Sequence, residues 1–131
     1  MKLLVSGVEY DVVDSLQGAA LGHLMELKLK SKRPDDGFAG VTVPSIQNMF
    51  VALGERAKQD GFQEIDLLGD LDFLDSIVGL VFLARRKAGE QVTYVEVRDT
   101  LTFDSFSFAA DADEVEVDPK DDPGVDPPEI P

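Results

Sequence analysis

The chain contains no cysteine and a single histidine. Without cysteine there is no disulfide, no zinc–thiolate or iron–sulfur site and no thiol nucleophile. One imidazole cannot build a multi-histidine metal site within one chain. Basic residues are scarce: 12 Lys and Arg stand against 26 Asp and Glu, a formal charge of −14. Binding to phosphates needs a basic field, so nucleic acid and anionic membranes are not expected partners. Long apolar runs are missing too. The longest stretch of apolar or Gly residues, Ile77–Ala84, falls far short of the roughly 20 residues of a membrane span. Met1–Val5 is followed by Ser6 and Glu9 and does not form a signal-peptide core. The expectation is a soluble cytoplasmic protein. What is present suffices for one core: 131 residues, 44% hydrophobic and 29% charged, suit a single domain.

Composition changes near Ala109–Ala110. Residues 111–131 hold nine acids, one base (Lys120) and five of the seven prolines. Their sizeable apolar side chains are Val115, Val117, Val125 and Ile130. Such a segment cannot bury enough apolar surface to offset the entropy of ordering it. The expected organisation is one helical domain over 1–109 and a disordered acidic, Pro-rich tail over 110–131.

Within the domain, Lys2–Val13 reads as two β-prone runs around a tight Ser6-Gly7 turn. A helix is expected from Asp14 or Ser15, with Gln17 completing a capping box from Asp14. Leu16, Ala20, Leu24 and Leu27 form its apolar stripe. Lys28, Lys30, Lys32 and Arg33 follow at the negative end of its dipole, and Pro34 stops it. Arg33–Val43 reads as a loop. A second helix starts near Thr42–Ser45, carries Ile46, Met49, Phe50, Leu53 and Ala57 at helical spacing, and ends at Asp60-Gly61. Phe62–Gly69 reads as an irregular turn or a short helix. A third helix runs from about Asp70 to Ala88, with acids in its first turns and Arg85, Arg86 and Lys87 in its last. Because Ile77–Ala84 is apolar nearly all round, this is the expected buried central helix. Thr93 and Glu96 make a capping box for a short fourth helix through about Leu101. Phe103, Phe106 and Phe108 follow in alternation. The fold class is mainly α with a short N-terminal β-hairpin.

No constellation assembles a catalytic site. There is no Ser–His–Asp set, no metal set and no nucleotide loop, so no enzyme and no cofactor are expected. His23 reads as a structural or surface residue. Gly18-x-x-x-Gly22 reads as small residues that let another element approach closely. Gly37-Phe-Ala-Gly40 lacks the Lys-Ser/Thr of a phosphate loop and reads as loop flexibility. The acidic pairs Asp70/Asp72, Asp111/Asp113 and Glu114/Glu116 lack the spacing of a calcium loop. Arg85–Lys87 together with Lys28–Arg33 read first as helix C-terminal charge, and second as a docking spot for the acidic tail or a partner. The Phe103/Phe106/Phe108 cluster reads as core packing, or as a binding patch if exposed.

One stretch carries a resemblance: Phe82-Leu-Ala-Arg-Arg-Lys-Ala-Gly-Glu-Gln-Val-Thr-Tyr-Val-Glu-Val97. It resembles the central segment of the tail assembly chaperones of long-tailed bacteriophages. There an apolar helix ends in an Ala/Leu-Arg-Arg-Ala-Gly-like element, and a turn leads to a Thr/Ser-x-x-Glu-Val capped helix. Here Ala84-Arg-Arg-Lys-Ala-Gly89 carries one extra Lys. The hairpin followed by helices and the acidic C-terminal segment also match the family layout. The resemblance implies a protein of the host cell cytoplasm that is not retained in the mature virion. It implies binding to the tape measure protein, a long helical, aggregation-prone chain, which is kept soluble while tail tube subunits polymerise around it. It also implies a longer product made by translational frameshifting, whose extension recruits tube subunits. The expected partner-binding residues are Leu80, Phe82, Leu83, Arg85 and Arg86 on the third helix, with Phe103, Phe106 and Phe108. The tail would supply solubility, and the chain alone would be a monomer or weakly self-associating. Two other classes fit a small acidic chain: a structural head–tail connector or tail terminator subunit, which forms rings, and an acidic nucleic-acid mimic. More than half of the net charge lies in the tail rather than on the folded surface, which weighs against the mimic.

Overall fold

Strand β1 (Lys2–Val5) and strand β2 (Val8–Asp11) form the expected N-terminal hairpin around Ser6-Gly7, both of positive φ. The register sets Leu3 opposite Tyr10 and Val5 opposite Val8, and Leu3 and Val5 are buried. The computed structural model describes residues 1–109, and the expected acidic tail over 110–131 lies outside them. The described residues are mainly helical, with five α-helices: α1 (Val12–Gln17), α2 (Leu21–Lys30), α3 (Val43–Ala57), α4 (Leu71–Lys87) and α5 (Tyr94–Thr100).

A third strand, β3 (Phe106–Ala109), pairs antiparallel with the other side of β1, giving the sheet order β2-β1-β3. Leu3 faces Phe108 and Val5 faces Phe106 across the ladder. The alternating phenylalanines are thus a strand: their period of two turns both aromatic rings to the same side of the sheet.

The single helix expected from Asp14 is in fact two. The first is capped earlier, by Asp11, whose carboxylate accepts the Asp14 N–H at 2.8 Å. It ends at once, when the Gly18 N–H closes on the Asp14 carbonyl at 2.8 Å. A new helix axis starts after Ala20. Gly18 and Gly22 therefore sit on different elements, and a Cβ at Gly22 would meet nothing within 4 Å. Gly18 does sit at a close approach, where a Cβ would collide with Lys87 Cε of α4, and Gly79 of α4 is at another. A Cβ there would come within 2.9 Å of Val41 Cγ1 and 3.0 Å of Leu27 Cδ1, so its absence lets α2 and the loop behind it settle onto α4.

Helix α4 is the centre of the domain. It touches α1, α2, α3, α5, β2 and the 3-10 turn Glu64–Gly69. Asp70 caps it by accepting the Phe73 N–H, and Arg85, Arg86 and Lys87 close its last turn. Ile77 and Leu80 through Ala84 are buried, with Phe82 edge-on to Tyr94 of α5.

The segment between α2 and α3, expected to be a flexible loop, is tied down. Ser31 is buried. Its hydroxyl donates to the Leu27 carbonyl at 2.6 Å and accepts the Val41 N–H at 2.7 Å. Arg33 stacks on Phe38 at 4.4 Å and pairs with Asp75 of α4. Gly40 adopts φ 114°, and any Cβ there would collide with the Lys28 carbonyl, so this glycine is a geometric requirement. Thr42 then caps α3 in a reciprocal box with Ser45.

Candidate functional site

The residues expected to bind a partner on α4 do not form a surface. Leu80, Phe82 and Leu83 are 0% exposed. No partner reaches them while the domain is folded, and their apolar character belongs to the core. This corrects the α4 part of the expected site, and the reason is geometric. A helix that is apolar all round is covered on every side by its own domain.

Arg85 and Arg86 are half-buried and engaged internally. Arg85 Nε donates to Glu90 Oε1 at 2.8 Å, and the Tyr10 hydroxyl donates to Glu90 Oε2 at 2.6 Å. Burial, the hydrogen bond to Glu90 and the carboxylate's charge push the Tyr10 hydroxyl up to about 12. The same Tyr10 hydrogen bond, with help from Arg85, holds the Glu90 carboxyl below its ordinary value. Arg86 donates to the Val92 carbonyl at 2.9 Å and to His23 Nε2 at 3.1–3.3 Å. His23, set edge-on to Phe82, is an acceptor that joins α2 to the end of α4. Lys87 pairs with Asp14 at 3.3 Å. The cations of α4 therefore fasten α1, α2 and β2 to the central helix.

The three phenylalanines are half-buried. Phe103 meets Phe106, Phe106 meets Phe108, and Phe108 meets Phe50 of α3, all edge-to-face, with centroids 5.9, 6.3 and 5.3 Å apart. Phe103 and Phe106 line a cleft of about 360 Å³ with Leu71, Leu74, Val78 and Leu101. They stand as walls between the sheet and the helices.

The open apolar surface lies elsewhere, on α2. Leu21, Met25 and Leu29 are 77%, 64% and 61% exposed. Their i, i+4, i+8 spacing aligns them on one face. Together with Leu24, Val43 and Pro44 they line a groove of about 580 Å³, which Lys28 and Thr42 also border. The walls are fixed relative to each other by the buried Ser31 hydroxyl and by the Thr42 cap. Three lysines sit at this end of the molecule: Lys28 and Lys30 in the last turn of α2, and Lys32 just beyond it. All three are exposed, and none makes an ion pair among the described residues.

This face could have been found in the sequence. Residues 21–29 carry Leu21, Leu24, Met25, Leu27 and Leu29, more than one buried stripe can use. The stripe through Leu24 and Leu27 supplies the core contact, and only Leu27 of α2 is fully buried. The surplus stripe stays in solvent.

Among the described residues no group of three or more His, Asp or Glu is placed to hold a metal ion, and no helix is long and apolar enough to cross a membrane. No family model matches the sequence, and no curated protein or solved structure matches it either.

Proposed function

We propose that this chain is a tail assembly chaperone of a long-tailed bacteriophage, which binds the tape measure protein and keeps it soluble while tail tube subunits assemble. The observation that carries the reading is the Leu21/Met25/Leu29 face over the Val43-Pro44 groove. A contiguous apolar face left open on a small acidic domain marks a protein-binding surface. An amphipathic helix recognises such a groove through anchors at i, i+4 and i+8. A long helical partner offers many such segments, and the net charge of −14 keeps loaded complexes apart in solution. The resemblance over Phe82–Val97 supplies the identity of the partner. In this reading the protein works in the host cytoplasm, is not retained in the virion, is monomeric or weakly associating alone, and reaches tube subunits through a longer frameshifted product.

The test is co-expression with the large helical protein encoded just downstream, followed by size-exclusion chromatography with light scattering. The partner should be insoluble alone and should co-elute with this chain. The double substitution Leu21→Asp, Leu29→Asp should abolish co-elution while leaving the far-UV circular dichroism unchanged. A stable ring formed by this chain alone, indifferent to that partner, would instead support the head–tail connector or tail terminator reading.

A further inference from the structure

We propose that the α2 groove has a resident occupant: the chain's own acidic segment, residues 111–118, which docks there and must be displaced before an external partner binds. The inference concerns the groove itself and stands whether or not that partner is a tape measure protein.

Three observations point to this segment. The first is charge. Arg33, Arg56, Arg85, Arg98, Lys2 and Lys87 are ion-paired, Arg86 is held by His23 and the Val92 carbonyl, and of the four lysines without an ion pair among the described residues only Lys58 lies away from α2. Lys28, Lys30 and Lys32 make no ion pair among the described residues, and Lys28 borders the groove. Residues 111–118 read Asp-Ala-Asp-Glu-Val-Glu-Val-Asp, with five carboxylates.

The second is spacing. Val115 and Val117 lie two residues apart, so in an extended chain they share a face and stand about 6.6 Å apart. Glu114, Glu116 and Asp118 then share the opposite face. Successive members of the α2 stripe are four residues apart on a helix, about 6 Å along its axis. The two valines therefore match the gaps of the Leu21/Met25/Leu29 row, and Asp111 and Asp113, which share the valines' face in an extended chain, are the acids left to meet the lysines.

The third is reach. The last described strand brings Phe108 against Phe50 of α3, with centroids 5.3 Å apart. Val43, in the groove wall, lies seven residues back along the same helix, about 10 Å away. The six residues 110–115 span about 20 Å when extended. Tethering makes the encounter intramolecular, which raises the effective concentration of even a weak ligand to the millimolar range.

The experiment uses the full chain and its methionine methyl groups. Met25 sits in the stripe, whereas Met49 is buried. Full-length protein carrying carbon-13 methyl methionine is compared with the Val115→Ser, Val117→Ser variant, whose substitutions fall outside the described fold. The Met25 methyl resonance should shift between the two proteins, and the Met49 resonance should not. Raising the salt concentration should move the wild-type Met25 signal toward its position in the variant, because screening weakens the lysine–carboxylate attraction. Lys28→Glu should do the same at low salt. An identical Met25 signal in wild type and variant would overturn the proposal. So would a Met25 signal that depends on protein concentration and ignores the tail substitutions, an outcome that would assign the groove to a second copy of the chain.

Discussion

Helices α4 and α2 are both rich in leucine, and the domain treats them in opposite ways. Helix α4 buries nine of its residues, including Leu80, Phe82 and Leu83, whereas α2 buries only Leu27 and leaves Leu21, Met25 and Leu29 in solvent. Apolar density therefore separates the two roles poorly. Where apolar residues surround the axis, neighbouring elements cover it and the residues become core. Where they form two stripes and the domain covers one, the second stays in solvent. The strongest apolar signal in the sequence marked the centre of the fold, and the weaker, surplus one marked the open face.

Substitutions on the two helices should separate stability from binding. The largest effect is expected inside α4. Phe82→Ala should cost about 3–5 kcal/mol of folding stability through lost burial and the cavity left beside Tyr94 and His23. The urea midpoint would report it, and a loss below about 1 kcal/mol would mean that α4 is not the structural centre. The next largest lies where the two helices meet. Gly79→Ala places a methyl group against Leu27 and Val41. Overpacking of about 1–3 kcal/mol should outweigh the roughly 1 kcal/mol that Ala gains over Gly within a helix. A net gain in melting temperature would show that α2 gives way easily. The smallest effect on stability is expected on the open stripe. Met25→Ser and Leu29→Ser should each change stability by no more than about 0.5 kcal/mol, yet both should weaken capture of an apolar helical partner in a pull-down. Comparable losses of stability on the two helices would erase the distinction.

Much of the fold was legible in local chemistry. The Ser6-Gly7 turn, the Thr93–Glu96 capping box, the starts of α3 near Thr42 and of α4 near Asp70, and the all-round apolar run of α4 each have short-range causes, and each sits where local sequence chemistry puts it. Three features were not legible, and each depends on distant contacts. The break at Gly18 needs α1 and α2 to lie separately against α4. The third strand needs β1 as a template, although the alternation of Phe106 and Phe108 was visible. The engagement of Arg85 and Arg86 needs Glu90, His23 and the Val92 carbonyl to be brought to them. The candidate site was missed for a related reason. Spacing tells which residues share a helix face, but only the packed domain tells which face is left over.

The pairing of β1 with β3 also imposes an order in time. Leu3 and its partner Phe108 stand at opposite ends of the described chain. During synthesis at about 5–20 residues per second, β1 has only β2 beside it for several seconds. A lone hairpin of two short strands is marginal in water. The sheet is completed only when Phe106–Ala109 leaves the ribosome, so the last strand acts as a latch that closes around a nearly finished domain.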